Sequence, residues 1–151
     1  MELTRRHFIQ SAAAAGMWLA AAKSGIAEDA AAAQPVPAKK NADEVNVALI
    51  GVGAQGRVLL DAARRIPGIK FKAVCDIWPY SQQYAAGQLK KSGHDVNVYE
   101  DYREMLDKEK GLDAVLVATP DWLHAEHTNA CLNAGLHVYC EKEMSNSLEK
   151  A

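Results

Sequence analysis

The 151-residue chain has no run of basic residues longer than two, as at Lys39-Lys40, and its net charge is −2. A surface that neutralises a phosphate backbone needs clustered Lys and Arg, so nucleic acid is excluded as a partner. The three cysteines, Cys75, Cys131 and Cys140, show neither C-x-x-C nor Cys/His zinc spacing, and an odd count cannot pair completely within one chain. They read as buried thiols acting as small apolar residues, with one disulfide left open in an oxidising compartment. Nowhere are there about 20 consecutive strongly apolar residues, so no stable membrane anchor is expected. What is present is ordinary for a globular domain: 49% hydrophobic and 24% charged residues, against disorder as a default. At about 100–200 residues per domain there is room for one.

Arg5 and Arg6 precede an apolar, alanine-rich segment from Phe8 to Ala22, followed by Lys23 and small residues at Gly25 and Ala27. This is the layout of a removable signal peptide. Thr4-Arg5-Arg6-His7-Phe8-Ile9 resembles the twin-arginine (Tat) pattern of bacterial export, and the weakly apolar core with Lys23 beyond it fits that route. A periplasmic bacterial protein, handed to the Tat translocase and cleaved after Ala27, is expected. Cleavage would remove three of the 17 basic and one of the 19 acidic residues, leaving 14 against 18. Residues 28–43, rich in Ala with Pro35 and Pro37, have no helical or alternating pattern and read as a linker. The domain proper is expected over 44–151.

Val45 to Ile50, "VNVALI", is a nearly unbroken apolar run of the kind found in strands buried on both faces. It stops at "GVGAQG", Gly51-Val52-Gly53-Ala54-Gln55-Gly56, where a helix is predicted to run to Ile66 before Pro67-Gly68 ends it. In G-x-G-x-x-G, Gly51 permits the tight turn, Gly53 lets the backbone approach a pyrophosphate, and Gly56 lets the helix pack close to the strand. The helix N-terminus then aims unpaired N–H groups at the phosphates. "KFKAVCD" supplies the required second strand and ends in Asp76, about 20 residues on. A carboxylate there accepts hydrogen bonds from the adenosine ribose and repels a 2′-phosphate, which favours NAD over NADP. A methyltransferase can carry the same two features, so the cofactor class needs downstream support.

That support comes from the alternation of elements. A helix over about Tyr80–Lys91, a strand over Asp95–Glu100, a short helix opened by Asp101 and Glu104 as a D-x-x-E cap, and the very hydrophobic "DAVLVAT" strand, Asp113–Thr119, follow in turn. Pro120 breaks that strand, a helix runs to about Asn133, and "LHVYCEK" is a fifth strand. Such alternation predicts right-handed βαβ crossovers and an α/β, doubly wound parallel sheet of the Rossmann kind. Ligands lie at the carboxyl ends of such strands, where Gly51, Asp76, Thr119, Pro120, Asp121, Glu141 and Lys142 all fall. His124 and His127 lie three apart, but no third ligand has suitable spacing, so no metal is expected.

On "GVGAQG", Cys75-Asp76, "ATPDWLH" (Ala118–His124) and "CEKEMSNSLEKA" (Cys140–Ala151), the chain resembles the N-terminal half of the Gfo/Idh/MocA oxidoreductases from Val45 onward. The resemblance implies an NAD(P)-binding Rossmann domain, a following substrate domain on an open sheet, and hydride transfer to or from a sugar or cyclitol. It places Glu141 and Lys142 on the family's Glu-Lys-Pro signature, with Lys142 close to nicotinamide and substrate, and Glu143 standing where proline is usual. A lysine there can hold a reacting hydroxyl or lower its pKa. His124 matches a position lining the cofactor pocket, whereas His127 reads as a packed or exposed helix residue. The family's His and Asp acid/base come from its substrate domain, and its members commonly associate through that domain's sheet, implying a homo-oligomer.

A fragment of a longer protein is therefore expected, with the substrate domain absent, a helix barely begun near Ser147, a sixth strand missing, and the fifth strand an exposed edge. Two other functions stay open. Some relatives use tightly held NAD to cleave glycosides by transient oxidation, and a module that only binds nucleotide would turn nothing over.

Overall fold

A computed structural model of the protein describes residues 44–150. The leader and linker expected over 1–43 lie outside the described residues. Among these, five parallel strands form one sheet: β1 (Val45–Ile50), β2 (Ile69–Cys75), β3 (Asn97–Tyr99), β4 (Ala114–Val117) and β5 (His137–Cys140). Their order is β3-β2-β1-β4-β5, with four helices as crossovers: α1 (Ala54–Ala63), α2 (Pro79–Lys91), α3 (Tyr102–Lys108) and α4 (Asp121–Asn133). The order reverses between β1 and β4, and that point fixes where a ligand crevice opens.

Two apolar layers hold the sheet, one on each face. Val47 and Leu49 of β1 join Leu60, Ala63, Ala85 and Leu89 beneath α1 and α2. Ala48 and Ile50 join Val115, Val117, Met105 and Cys131 beneath α3 and α4. Successive β1 residues thus serve opposite faces, as the two-residue period of a strand requires. In β2, Phe71 and Val74 face the first layer while Ala73 and Cys75 face the second. Phe71 and Ala73 would share a face in a regular strand. The register slips here, Val47 pairing with Phe71 and Ala48 with Ala73, and this one-residue bulge at Lys72 turns the rest of β2 over.

Several element ends differ from the sequence expectation. Helix α1 stops at Ala63 instead of Ile66, because Arg65 and Ile66 donate to carbonyls three residues back and tighten the last turn. Strand β3 is half the predicted length: as an edge strand it pairs only with Ala73–Cys75. Asp101 caps α3 by accepting from Arg103 N–H at 2.7 Å, but Glu104 pairs with Lys108 one turn on and does not close a reciprocal capping box. β4 and β5 are likewise shorter than "DAVLVAT" and "LHVYCEK", four residues each. In place of a helix near Ser147 there is a single turn, Lys150 N–H donating to Ser147 O at 3.3 Å. No helix among the described residues is long and apolar enough to cross a membrane.

Candidate functional site

The carboxyl ends of β1, β2 and β4 are stitched together beyond their ladders. Gly51 N–H donates to Cys75 O at 2.8 Å, and Ala118 N–H to Ile50 O at 2.9 Å. These bonds present the loops after the three strands as one rim. The glycines of that rim have different reasons to be glycine. Gly51 has φ +90°, and a Cβ there would fall 2.7 Å from Ala118 C and O, so both conformation and the neighbouring chain exclude a side chain. At Gly56 a Cβ would lie 2.0 Å from Gly51 O, because the helix packs directly on the turn. Gly53 meets nothing within 4 Å. Its bare backbone faces open space at the N-terminus of α1, the arrangement that suits a pyrophosphate.

Asp76 reaches that loop from the next strand. Its Oδ2 accepts Val52 N–H at 2.7 Å and its Oδ1 accepts Trp78 N–H at 2.8 Å. Two donated backbone hydrogens fix the carboxylate beside the glycine turn. The Gln82 amide holds the same corner from α2, donating to Asp76 O at 2.5 Å. Arg57 lies over the Tyr84 ring at 4.3 Å and donates to Val52 O at 3.2 Å, a cation fastened behind the loop.

A cavity of about 410 Å³ opens here, inside the range of about 300–1,000 Å³ usual for small-molecule sites. Gly51, Gly53, Asp76, Thr119 and Pro120 lie on its wall. Ile77 and Trp122, 82% and 57% exposed, also line it and give it apolar flanks. Its floor is more polar: Tyr102 and His127, whose rings meet edge to face with centroids 4.5 Å apart. Tyr102 donates to Glu126 at 2.8 Å, and burial followed by that bond pushes its hydroxyl up to about 12. His127 Nδ1 shares a hydrogen with Thr119 Oγ1 at 3.1 Å, and burial lowers its pKa.

Of the residues singled out from sequence, five therefore share one wall, while Ala54, Gln55, Gly56, Asp121, His124, Glu141 and Lys142 lie off it. His124 is placed differently from expectation, while His127 is a packed helix residue, as expected, that also lines the cavity. His124 is 1% exposed and sits behind the cavity, its ring between Thr119 O at 2.7 Å and Glu143 O at 2.5 Å. A side chain one turn into a helix points back toward the helix start, which carries His124 under the Thr119 turn. Gln55 and Glu141 meet at 3.0 Å across the rim. Lys142 is exposed and makes no ion pair among the described residues. The Lys142–Glu143 peptide is cis, with glutamate following the bond.

Ile77, Trp122, Tyr102 and His127 line the cavity in addition to the residues the sequence points to. Ile77 and Trp122 had a usable signal, being apolar residues beside Asp76 and Pro120 at strand ends. Tyr102 had none, since an aromatic at a helix start is most often core. Among the described residues no group of three or more His, Cys, Asp or Glu could hold a metal ion.

Residues 45–151 match the family model GFO_IDH_MocA, described as an oxidoreductase family with an NAD-binding Rossmann fold. A glycosyl hydrolase family 109 protein of Streptomyces coelicolor is 30% identical over 98% of this chain and 34% of its own length. Among solved structures, the myo-inositol 2-dehydrogenase of Lactobacillus plantarum superposes with a TM-score of 0.64 at 30% identity, covering 71% of this chain and 30% of that one. The scyllo-inositol dehydrogenase of Lactobacillus casei, with bound NAD(H) and scyllo-inositol, gives 0.63 at 26%, covering 71% and 30%. The chain thus spans about a third of the length of the proteins it matches.

Proposed function

The chain belongs to the Gfo/Idh/MocA oxidoreductase family, and on that premise we propose that it holds NAD above β1 and β4 for hydride exchange with a sugar- or cyclitol-like hydroxyl. The observation carrying this reading is the Val52–Asp76 bond, which puts a fixed carboxylate and an unobstructed glycine turn on one cavity wall. The residues fit the cofactor. Gly53 and the first N–H groups of α1 receive the pyrophosphate, Asp76 the adenosine ribose, and Ile77 and Trp122 the faces of the adenine. Asp76 also opposes a 2′-phosphate, hence NAD in preference to NADP.

When bound, the nicotinamide accepts or returns a hydride. Lys142 is the cation at the end of β5, and its ammonium would hold the reacting hydroxyl and stabilise the charge developing on its oxygen as an acid/base of the substrate domain takes the proton. In the whole protein the substrate is a small sugar-like molecule, and the assembly is a homo-oligomer. Export belongs to the same reading: Arg5-Arg6 directs the folded, NAD-loaded protein through the Tat translocase to the periplasm, where free nicotinamide cofactor is scarce and slow cofactor release is needed.

A second reading is favoured by the family 109 glycosidase among the relatives, namely glycoside cleavage through transient oxidation with no net redox change. The test incubates the natural protein with candidate polyols and aryl glycosides. NADH accumulating with a polyol selects the dehydrogenase, and aglycone released without NADH selects the glycosidase. Failure to bind NAD at all would sink both and leave a module without the proposed cofactor.

A further inference from the structure

Lys142 is exposed, yet the chain on either side of it is tied down. Glu141 N–H donates to Val117 O at 2.9 Å, extending the β4–β5 ladder by one residue. The Glu141 carboxylate accepts from the Gln55 amide of α1 at 3.0 Å. Immediately beyond the lysine, Glu143 O meets Nδ1 of His124 at 2.5 Å, and Nε2 of the same ring meets Thr119 O at 2.7 Å.

A peptide carbonyl accepts and never donates, so a neutral imidazole can hydrogen-bond only one of the two: with the hydrogen on Nδ1 the ring donates to Glu143 O, the shorter contact, and its other edge lies against Thr119 O. The ring is 1% exposed, so water does not replace a lost partner cheaply. His124 therefore joins two places that sequence separates widely: the turn after β4 that walls the cavity, and the segment carrying Lys142. With both flanks fixed, the Lys142 backbone is set relative to the glycine loop before any ligand arrives, which is what positioning a reacting group requires.

We propose that His124 is a positioning residue that sets Lys142 against the cofactor crevice, donating from Nδ1 to Glu143 O while its ring is seated beneath the Thr119 turn. The proposal rests on the reading of Lys142 as the cation at the nicotinamide end. It is distinct from cofactor binding itself, because His124 does not line the cavity.

The test uses the full chain with lysines converted to 13C-dimethyl-lysine, the Lys142 signal being assigned by its loss in Lys142→Arg. In the native protein NAD+ shifts that signal. In His124→Asn, whose shorter side chain withdraws the donor from Glu143 O, the dissociation constant for NAD+ changes by less than about threefold while the Lys142 response is lost. An unaltered Lys142 response in this variant would overturn the proposal and leave the NAD reading intact. Absence of NAD+ binding to the native chain would overturn both. Should His124→Asn fail to fold, the native ring decides: an Nδ1 proton protected from exchange, with nuclear Overhauser contacts to residues 143 and 144, is expected, and a ring protonated at Nε2 alone refutes the proposal.

Discussion

Val52 N–H donates to Asp76 Oδ2 at 2.7 Å, so the carboxylate at the end of β2 is locked onto the glycine turn that follows β1. The proposed recognition group for a ribose and the proposed cradle for a pyrophosphate are thereby one unit. Replacing Asp76 with Ala should raise the NAD+ dissociation constant about tenfold or more, since hydrogen bonds to a charged group contribute about 1.5–3 kcal/mol. NADP+ binding should suffer less, because a repelling charge is removed with the acceptor. Calorimetric titration with both nucleotides checks the ratio, and an unchanged preference would show that Asp76 does not face the ribose.

Gly56 and Gly53 should behave oppositely when a methyl group is added. A Cβ at Gly56 would stand 2.0 Å from a backbone oxygen, and backbone cannot rotate away. Overpacking of this kind costs about 1–3 kcal/mol or more, so Gly56→Ala should lower Tm by at least about 5 °C. Gly53→Ala enters open space and should leave Tm within a degree or two, about the ±0.5 kcal/mol typical of surface changes. Thermal denaturation of the two variants side by side separates these outcomes.

His127 gives the domain an acid-side weakness. Burial lowers its pKa from the ordinary 6.5, and His94 is lowered for the same first reason. Below 6.5 the unfolded chain takes up these protons before the folded one does, so stability is full above that value and falls as pH drops through the folded values. Urea unfolding at pH 7.5 and 5.5 should show the loss. His127→Gln should shrink it without abolishing it, since His94 remains.

Cys75 and Cys131 should resist alkylation in the native state. Burial is the first cause that pushes each thiol up to about 12, and the thiolate is the reactive form. Mass mapping after iodoacetamide treatment should find label on half-buried Cys140 before either of them. Labelling of Cys131 at the rate of an unfolded control would contradict the packed layer beneath α4.

The parallel sheet was legible from Val45–Ile50, Asp76 and the apolar Ala114–Val117 because burial on two faces demands runs of that kind. The glycine spacing was legible because only glycine tolerates the contacts at Gly51 and Gly56. The Lys72 bulge was not, since apolar residues lie on both sides of it and the change of face is set by pairing with β1. The two histidines could not be told apart by spacing. Both lie on one helix, and what separates them is how far each ring reaches: His124 back under Thr119 to Glu143, and His127 to the cavity floor. Strand lengths were overestimated because hydrophobic runs extend past the residues that find a pairing partner.

The proposed function depends above all on the turn at Gly53 holding the pyrophosphate of NAD. Its most direct test is an equilibrium titration of NAD+ into the full chain, stripped of nucleotide beforehand, alongside Gly53→Ala. Saturable one-to-one binding to the native chain is expected, and none, or far weaker binding, to an equally well folded Gly53→Ala. Equal binding by both, or no binding by either, would contradict it.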